Sequence, residues 1–149
     1  MPAWDTRTVL DGHNAVVYAQ VAGTVAAPGA GDELGFITSV SFANEPEVSE
    51  RGPYINSAQK KKTLSSYSAS GELSIDVADG ADTVRARFFT AISAKTRIKI
   101  TVLINGSTGE KHVMDQCVVG MSAEGDPAEG WTYGLPFDSD TYVYTAATV

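Results

Sequence analysis

Cysteine and histidine are scarce in this chain of 149 residues, which holds one cysteine, Cys117, and two histidines, His13 and His112. A lone cysteine cannot form an internal disulfide, and so few thiol and imidazole groups disfavour a zinc site. Cys117 is therefore expected to be a small, buried, apolar residue. The sequence predicts no metal site and no cofactor.

Long apolar runs are also missing. A membrane-spanning helix needs roughly 18–20 consecutive apolar residues, whereas the longest apolar candidate, residues 98–104, has only the length of a strand. The first residues, MPAWDTRTVLDG, lack the basic start and the apolar run of a signal peptide. We therefore expect a protein that is made in the cytoplasm and does not contact a membrane.

Positive charge is in short supply as well. Lys and Arg together number 11, Asp and Glu together number 18, and the net charge is −7. Non-specific nucleic-acid binding depends on many basic contacts to phosphates, so a role in gripping DNA is disfavoured. Only 19% of the residues are charged, a low fraction that fits a protein whose surface is largely covered by copies of itself.

Catalytic motifs are absent from the sequence, which has neither a Gly-x-Ser-x-Gly elbow nor a Walker-type phosphate loop. His112 and Cys117 lie on one predicted strand at an odd separation, so regular alternation places them on opposite faces, where they cannot form a nucleophile–base pair. Acidic clusters at 124–129 and 138–140 lack the spacing of a calcium loop and are interpreted as solvated turns. The sequence therefore predicts no catalytic residue and a protein that is not an enzyme.

The sequence does contain strand-like alternation and segments rich in β-branched and aromatic residues. The candidate strands are residues 15–23, 35–50, 67–77, 97–105, 110–125 and 131–149. Two stretches without periodicity, near 24–34 and 51–66, are expected to be flexible loops. We expect a single domain over residues 1–149 that is mainly β, an antiparallel sandwich or barrel with one short flanking α-helix.

The predicted helix follows the strand at 67–77. Asp79 is a good N-cap residue, so the helix is expected to begin near it. Val84, Phe88 and Ile92 then recur at helical spacing and form one apolar face. A helix this short is not stable alone, so we expect these three side chains to pack on the sheet.

The stretch 51–66 holds the chain's only basic cluster, and a loop of this length is usually functional or disordered. We predict that it contacts a neighbouring subunit by docking electrostatically on that subunit's acidic surface, with a merely solvated loop as the alternative. The predicted contact residues are Pro53, Tyr54, Ile55, Lys60, Lys61 and Lys62.

Three stretches together resemble the major tail tube proteins of long-tailed bacteriophages, which are related to the tube proteins of contractile tails and of type VI secretion. They are GFITSVSFANEPEVSERGPYINSAQKKKTLSSYSASGELSIDV (35–77), ADTVRARFFTAISAKTRIKITVLI (81–104) and VVGMSAEGDPAEGWTYGLPFDSD (118–140). The shared features are a strand pair bearing acidic residues, a long loop, a glycine-bearing strand, a short Asp-led helix with Arg-x-x-Phe, and a hairpin towards the C-terminus. The resemblance covers roughly residues 15–145.

The resemblance implies a structural virion protein of the tail, with copies of itself and other tail proteins as partners. It implies hexameric rings that stack into a tube, through which double-stranded DNA passes during ejection without specific binding. An acidic lumen suits such passage, because it repels the polyanion weakly at many points. The candidate lumen-facing residues are Glu45, Glu47, Glu50, Glu72 and Asp76.

Alternative interpretations of the same residues remain open. A head decoration protein or a tail-terminator protein is close in biology but assembles differently. A carbohydrate-binding β-sandwich module belongs to another class altogether.

Overall fold

The computed structural model describes residues 15–53, 55, 58–107 and 109–146. Within these residues eight strands and one α-helix alternate with short connections. In chain order they are β1 (Val16–Val21), β2 (Ile37–Arg51), β3 (Lys61–Asp76), α1 (Thr83–Ala94), β4 (Ile98–Ser107), β5 (Lys111–Val119), β6 (Ser122–Asp126), β7 (Gly130–Ser139) and β8 (Val143–Thr145). Among the described residues, no helix is long and apolar enough to cross a membrane.

All eight strands belong to one antiparallel sheet, in the order β1-β4-β5-β7-β3-β2, with β6 paired to β7 and β8 paired to β5. The sheet curls until its two end strands, β1 and β2, face each other across a groove of about 540 Å³ lined by residues of both. The predicted fold class is confirmed: the chain is mainly antiparallel β with one helix. The sheet is continuous rather than split into two separate sheets.

Strand alternation builds the core. In β3, Leu73 and Ile75 point inwards, and across β7 they oppose Leu135 and Tyr133. Ile100 of β4 is completely buried as well. Because side chains alternate along a strand, the residues between these inward positions must face outwards.

Cys117 lies on β5 and is completely buried, as the sequence predicted. Its thiol donates a hydrogen bond to the carbonyl oxygen of Met114. Burial raises the pKa of the thiol to about 11, so Cys117 is protonated at neutral pH and behaves as a packing residue.

Helix α1 begins after Asp82 rather than near Asp79, so the predicted start is wrong by one turn. The Asp82 carboxylate accepts hydrogen bonds from the backbone amides of Val84 and Arg85, both at 3.0 Å. The Asp79 carboxylate accepts instead from the amide of Gly80, whose φ of +93° turns the chain before the helix. Either aspartate could cap a helix, and the intervening glycine turn selects the second.

The buried face of α1 consists of Val84, Phe88 and Ala91. The prediction that Ile92 packs inwards is wrong, since its side chain is 37% exposed. The inward position of the third turn is taken by Ala91, on the side where the helix packs against β1, β4 and β5. Phe88 is completely buried and is the largest apolar side chain of this face.

The segment between β1 and β2, predicted to be a flexible loop near 24–34, is anchored at its second half. The Asp32 carboxylate accepts hydrogen bonds from the Arg87 guanidinium at 2.6 Å and from the Gly29 amide at 3.1 Å. The Leu34 amide donates to the Val17 carbonyl at 2.9 Å, and the Leu34 side chain is buried. Flexibility stays a prediction for the residues before Gly29.

The predicted loop 51–66 is in part a β-ribbon. Strands β2 and β3 remain paired as far as Arg51 and Lys61, so only residues 52–60 connect them. Pairing of β3 with β7 ends at Ala69, and beyond it the two-stranded ribbon projects from the barrel. We call this ribbon, residues 45–68, the arm. The sequence of residues 61–66, KKTLSS, shows no alternation of apolar and polar side chains, which is why the pattern did not reveal this part of β3 as strand.

Replacing Phe88 by alanine is expected to lower the free energy of unfolding by about 3–5 kcal/mol, because it empties the largest buried position of the helix. Ile92→Ala on the same helix is the matched control and should cost about 1 kcal/mol or less, since that side chain is already partly solvated. Urea unfolding of both variants measures the difference. Equal losses would contradict the assigned packing face.

Asp32→Asn is expected to cost about 2 kcal/mol at neutral pH, because it removes a charge-assisted hydrogen bond from a partly buried site. The bond to Arg87 is the main cause that lowers the pKa of Asp32 from its ordinary value of 3.8. The contribution is therefore present above that value and is lost as the pH falls through the lower folded pKa. Denaturant unfolding at neutral and acidic pH should show the gap between the wild type and the variant closing in acid. Glu33→Gln, at the neighbouring exposed carboxylate, should show no such gap.

Candidate functional site: an acidic sheet face and a basic arm

The outward positions of β3 carry Glu72, Ser74 and Asp76 between the buried Leu73 and Ile75. Both carboxylates are exposed. Glu72 lies opposite Ser41 on β2 and Pro136 on β7, so the same outward face continues onto both neighbouring strands.

Four adjacent strands, β2, β3, β7 and β6, share this outward face. Their pairing places Asp76 and Glu124 on either side of Thr132, and places Asp138 opposite Ser70. We call the set the acidic face. Its carboxylates are Glu45, Glu47, Glu72, Asp76, Glu124, Asp126 and Asp138, all exposed.

Basic residues are missing from the parts of these strands that form the acidic face: residues 37–47, 68–76, 122–126 and 130–139 contain no Lys and no Arg. The positions between the carboxylates are small and polar. Gly134 has no side chain, and the Glu72 carboxylate and the Ser122 hydroxyl lie over it, where a Cβ would come within 2.6 Å of each. The result is a polar surface whose charged side chains are all of one sign.

This chemistry suits repulsion of a polyanion rather than binding of an ion. Each exposed carboxylate interacts with a distant phosphate only weakly in water, so the effect is the sum of many small repulsions. Among the residues that the structure describes, no group of three or more His, Cys, Asp or Glu side chains is arranged to hold a metal ion.

The structure brings together four of the five predicted lumen residues, Glu45, Glu47, Glu72 and Asp76, on one face. Glu50 stands apart. It sits near the end of the arm at a strand position of opposite parity to Glu47, and its carboxylate lies 3.8 Å from the Lys62 ammonium.

The sequence-based argument missed Glu124, Asp126 and Asp138, which it interpreted as turn residues. A signal was present in β7, where Tyr133, Leu135 and Phe137 alternate with small or acidic residues. That alternation predicts an inward apolar face and an outward face at Asp138.

The predicted inter-subunit residues lie at the free end of the arm. Pro53, Ile55, Lys60 and Lys62 are exposed, and Lys61 begins β3 opposite Arg51. Tyr54 lies outside the described residues.

The arm end is electrostatically opposite to the rest of the chain. Residues 50–62 include four basic residues and one acidic residue, a net charge of +3. The whole chain carries −7, so the remainder carries −10. Ile55 at the connection is fully exposed. The arm therefore combines positive charge with an apolar tip, a pairing suited to an acidic protein surface with an apolar patch.

His112 and Cys117 do not form a catalytic pair, although the predicted reason is wrong. A bulge at Asp115 and Gln116 shifts the alternation of β5, so both residues oppose inward positions of β4, Val102 and Ile98. They nevertheless have different partners, since the imidazole contacts the Tyr142 hydroxyl and the thiol bonds the Met114 carbonyl.

Solved structures with the same fold come from large particles. One is a chain from the anti-feeding prophage baseplate, determined with six-fold symmetry imposed, with a TM-score of 0.65 at 10% identity over 97% of this chain and all of that one. A chain from the native gene transfer agent virion has a TM-score of 0.65 at 12% identity over 93% of this chain and all of that one. A chain from the tail of the empty gene transfer agent particle, determined with C6 symmetry, has a TM-score of 0.62 at 17% identity with the same coverage.

No family model matches the sequence, and no curated protein matches it either. At identities of 17% and below, the structural likeness establishes the fold and nothing finer. The predicted resemblance to tail proteins is thus confirmed at the level of architecture: this chain has the fold of chains found in a phage-like baseplate and in a gene transfer agent tail.

Proposed function

We propose that this chain is a structural, non-enzymatic protein of a virion tail that assembles into stacked rings forming a tube, a conduit for DNA. The observation that carries the proposal is the acidic face, which continues over parts of four adjacent strands that contain no Lys and no Arg. A conduit for a polyanion needs a wall that does not hold it, and this surface meets that need.

Ring formation follows from the open edges of the sheet. Strand β2 ends the sheet on one side of the acidic face, and β6 borders the other side. Backbone donors and acceptors along an open edge invite pairing with another chain, and ring closure removes every such edge. Placing β2 of one copy beside β6 of the next continues the acidic face around the ring. The six-fold symmetry used for related particles supports a ring of six.

Stacking of rings is the proposed role of the arm. Its basic end projects away from the barrel, beyond the last pairing of β3 with β7. In a stacked arrangement it would reach an acidic surface of a subunit in the next ring, with Ile55 supplying apolar contact. The proposed partners are therefore other copies of this chain and other tail proteins, with DNA passing through transiently.

Reversing two charges of the acidic face tests whether this face lines the lumen. Glu72→Lys with Glu124→Lys should leave the fold intact, because both side chains are exposed, and the resulting tubes should retain short linear duplex DNA at low salt. The control, Asp79→Lys with Glu33→Lys, makes the same change in net charge outside the acidic face. Co-sedimentation with tubes assembled from each variant gives the comparison.

The same co-sedimentation with a closed circular plasmid shows whether the acidic face lies inside or outside the tube. A circular plasmid has no end that could enter a lumen, so only an outer surface can retain it. Retention of linear duplex without plasmid by the acidic-face variant supports an inward-facing surface. Equal retention of plasmid would place this face on the outside and overturn the conduit.

Removing the arm tests stacking. A variant in which Val48 is joined to Leu64 through Asn-Gly replaces the arm end by a two-residue hairpin turn at a native strand pair. Its free energy of unfolding should change by no more than about 1 kcal/mol, because every described side chain that is removed is exposed. Electron microscopy should show no tubes.

A length-matched control separates charge from shape. Replacing Lys60, Lys61 and Lys62 by glutamine keeps the arm and should make assembly less sensitive to salt. Normal tube growth by the arm-deleted variant would refute the stacking role. A strictly monomeric mass for the wild-type chain at high concentration would instead favour the decoration or carbohydrate-binding alternatives.

A further inference from the structure

An aromatic cluster around His112 joins parts of the barrel that are not neighbours in the sheet. The imidazole of His112, on β5, lies 4.9 Å from the ring of Phe42 on β2, measured between ring centroids. The ring of Tyr142, just before β8, lies 5.8 Å away, and that of Tyr144, in β8, lies 5.4 Å away. One side chain on β5 therefore contacts two other segments of the chain, β2 and residues 142–144.

The contact with Phe42 lies on the groove side of the barrel, where the sheet order does not pair β1 with β2. Phe42 lines that groove. Strand β8 is attached to β5 through three residue pairs, from Lys111–Thr145 to Val113–Val143, and its own side chains are exposed. His112, on β5, therefore contacts both β2 and β8.

The surroundings of the His112 imidazole favour its neutral form. Its side chain is 12% exposed, and its Nδ1 lies 2.5 Å from the Tyr142 hydroxyl. Burial raises the pKa of Tyr142, so its hydroxyl is available to donate to an unprotonated Nδ1. Protonating the imidazole places a charge on a largely buried ring, which is costly.

The other ionisable groups facing the ring do not reverse this preference. The Glu110 carboxylate lies 3.8 Å from Nε2 and favours the charged imidazole. Burial has the larger effect, and the pKa of His112 is lowered from 6.5. Tyr144 remains neutral throughout this range, because its pKa is raised by burial and by Glu110. From β2 the contact is the uncharged Phe42.

We propose that His112 is an acid-sensitive latch, which in its neutral form holds β8 and the Phe42 region of β2 against β5 and on protonation releases β8. The released state binds the proton more tightly than the latched state. The latch is therefore fully effective above the ordinary histidine pKa of 6.5, weakens as the pH falls below it, and is lost once the pH has passed the lower folded pKa. This inference rests on the geometry of the cluster and does not depend on the proposed tube.

The test uses the full-length chain with His13→Gln, which leaves His112 as the only histidine. Amide exchange protection factors at His112, Val113 and residues 143–145 are compared at about pH 7.5 and about pH 5.5. A loss of protection in acid is expected at these sites, because the pKa of His112 is lower in the latched state than its ordinary value. Helix α1 serves as the internal reference and should keep its protection.

His112→Phe in the same background keeps an aromatic ring and removes the titration, so its protection at these sites should not depend on pH. Unchanged protection in the parent chain, or an acid loss that persists in His112→Phe, would overturn the latch. Because the variant could fail to fold, the ring of His112 is also titrated by NMR in the parent chain. A folded pKa below 6.5 supports the latch, and a value at or above it overturns it.

Discussion

The alternation of side chains along β3 and β7 is the constraint on which the rest of this structure depends. The same strands present Leu73 and Leu135 to the core and Glu72 and Asp138 to the outside. A slip of one residue in the pairing would exchange the two faces and bury carboxylates without partners, which is prohibitively costly. The core therefore fixes the position of the acidic face, and the two cannot vary independently.

The edge strands of the sheet differ in how far the rest of the chain covers their open backbone. The open side of β1 is partly covered by its own chain, where Leu34 donates to Val17 and Glu33 forms a bridge with Tyr18. Asp32 and Arg87 hold this covering segment to the helix. The outer edges of β2 and β6 have no such cover in the described residues. Backbone groups along an uncovered edge can pair with another strand, and the proposed ring uses these two edges.

Closure of the barrel by side chains rather than by backbone pairing fits this arrangement. If β1 and β2 were joined by hydrogen bonds, the edge of β2 would be used within the subunit. The Phe42–His112 contact instead holds β2 in place through its inward face and leaves its backbone edge free. In the proposed latch, protonation of this imidazole weakens the contact.

The sequence by itself determined the strands and the helix whose apolar side chains are buried in the core. The alternation around Leu73 and Ile100 and the apolar spacing of Val84 and Phe88 predicted the main strands and the helix, because burial imposes a period on those side chains. The sequence could not choose between Asp79 and Asp82 as the helix cap, because both are chemically competent.

Only the tertiary structure decided the features that depend on pairing between distant segments. It showed that the arm is a ribbon, since no buried face marks it in the sequence, and it placed Glu124 and Asp138 on the face of Glu72 through strand register. It also placed His112 and Cys117 on the same side of β5, because one bulge resets the parity of every later residue in the strand. The local sequence determines how side chains alternate along a strand. Pairing with the partner strand determines where a bulge interrupts that alternation and which residues lie opposite each other.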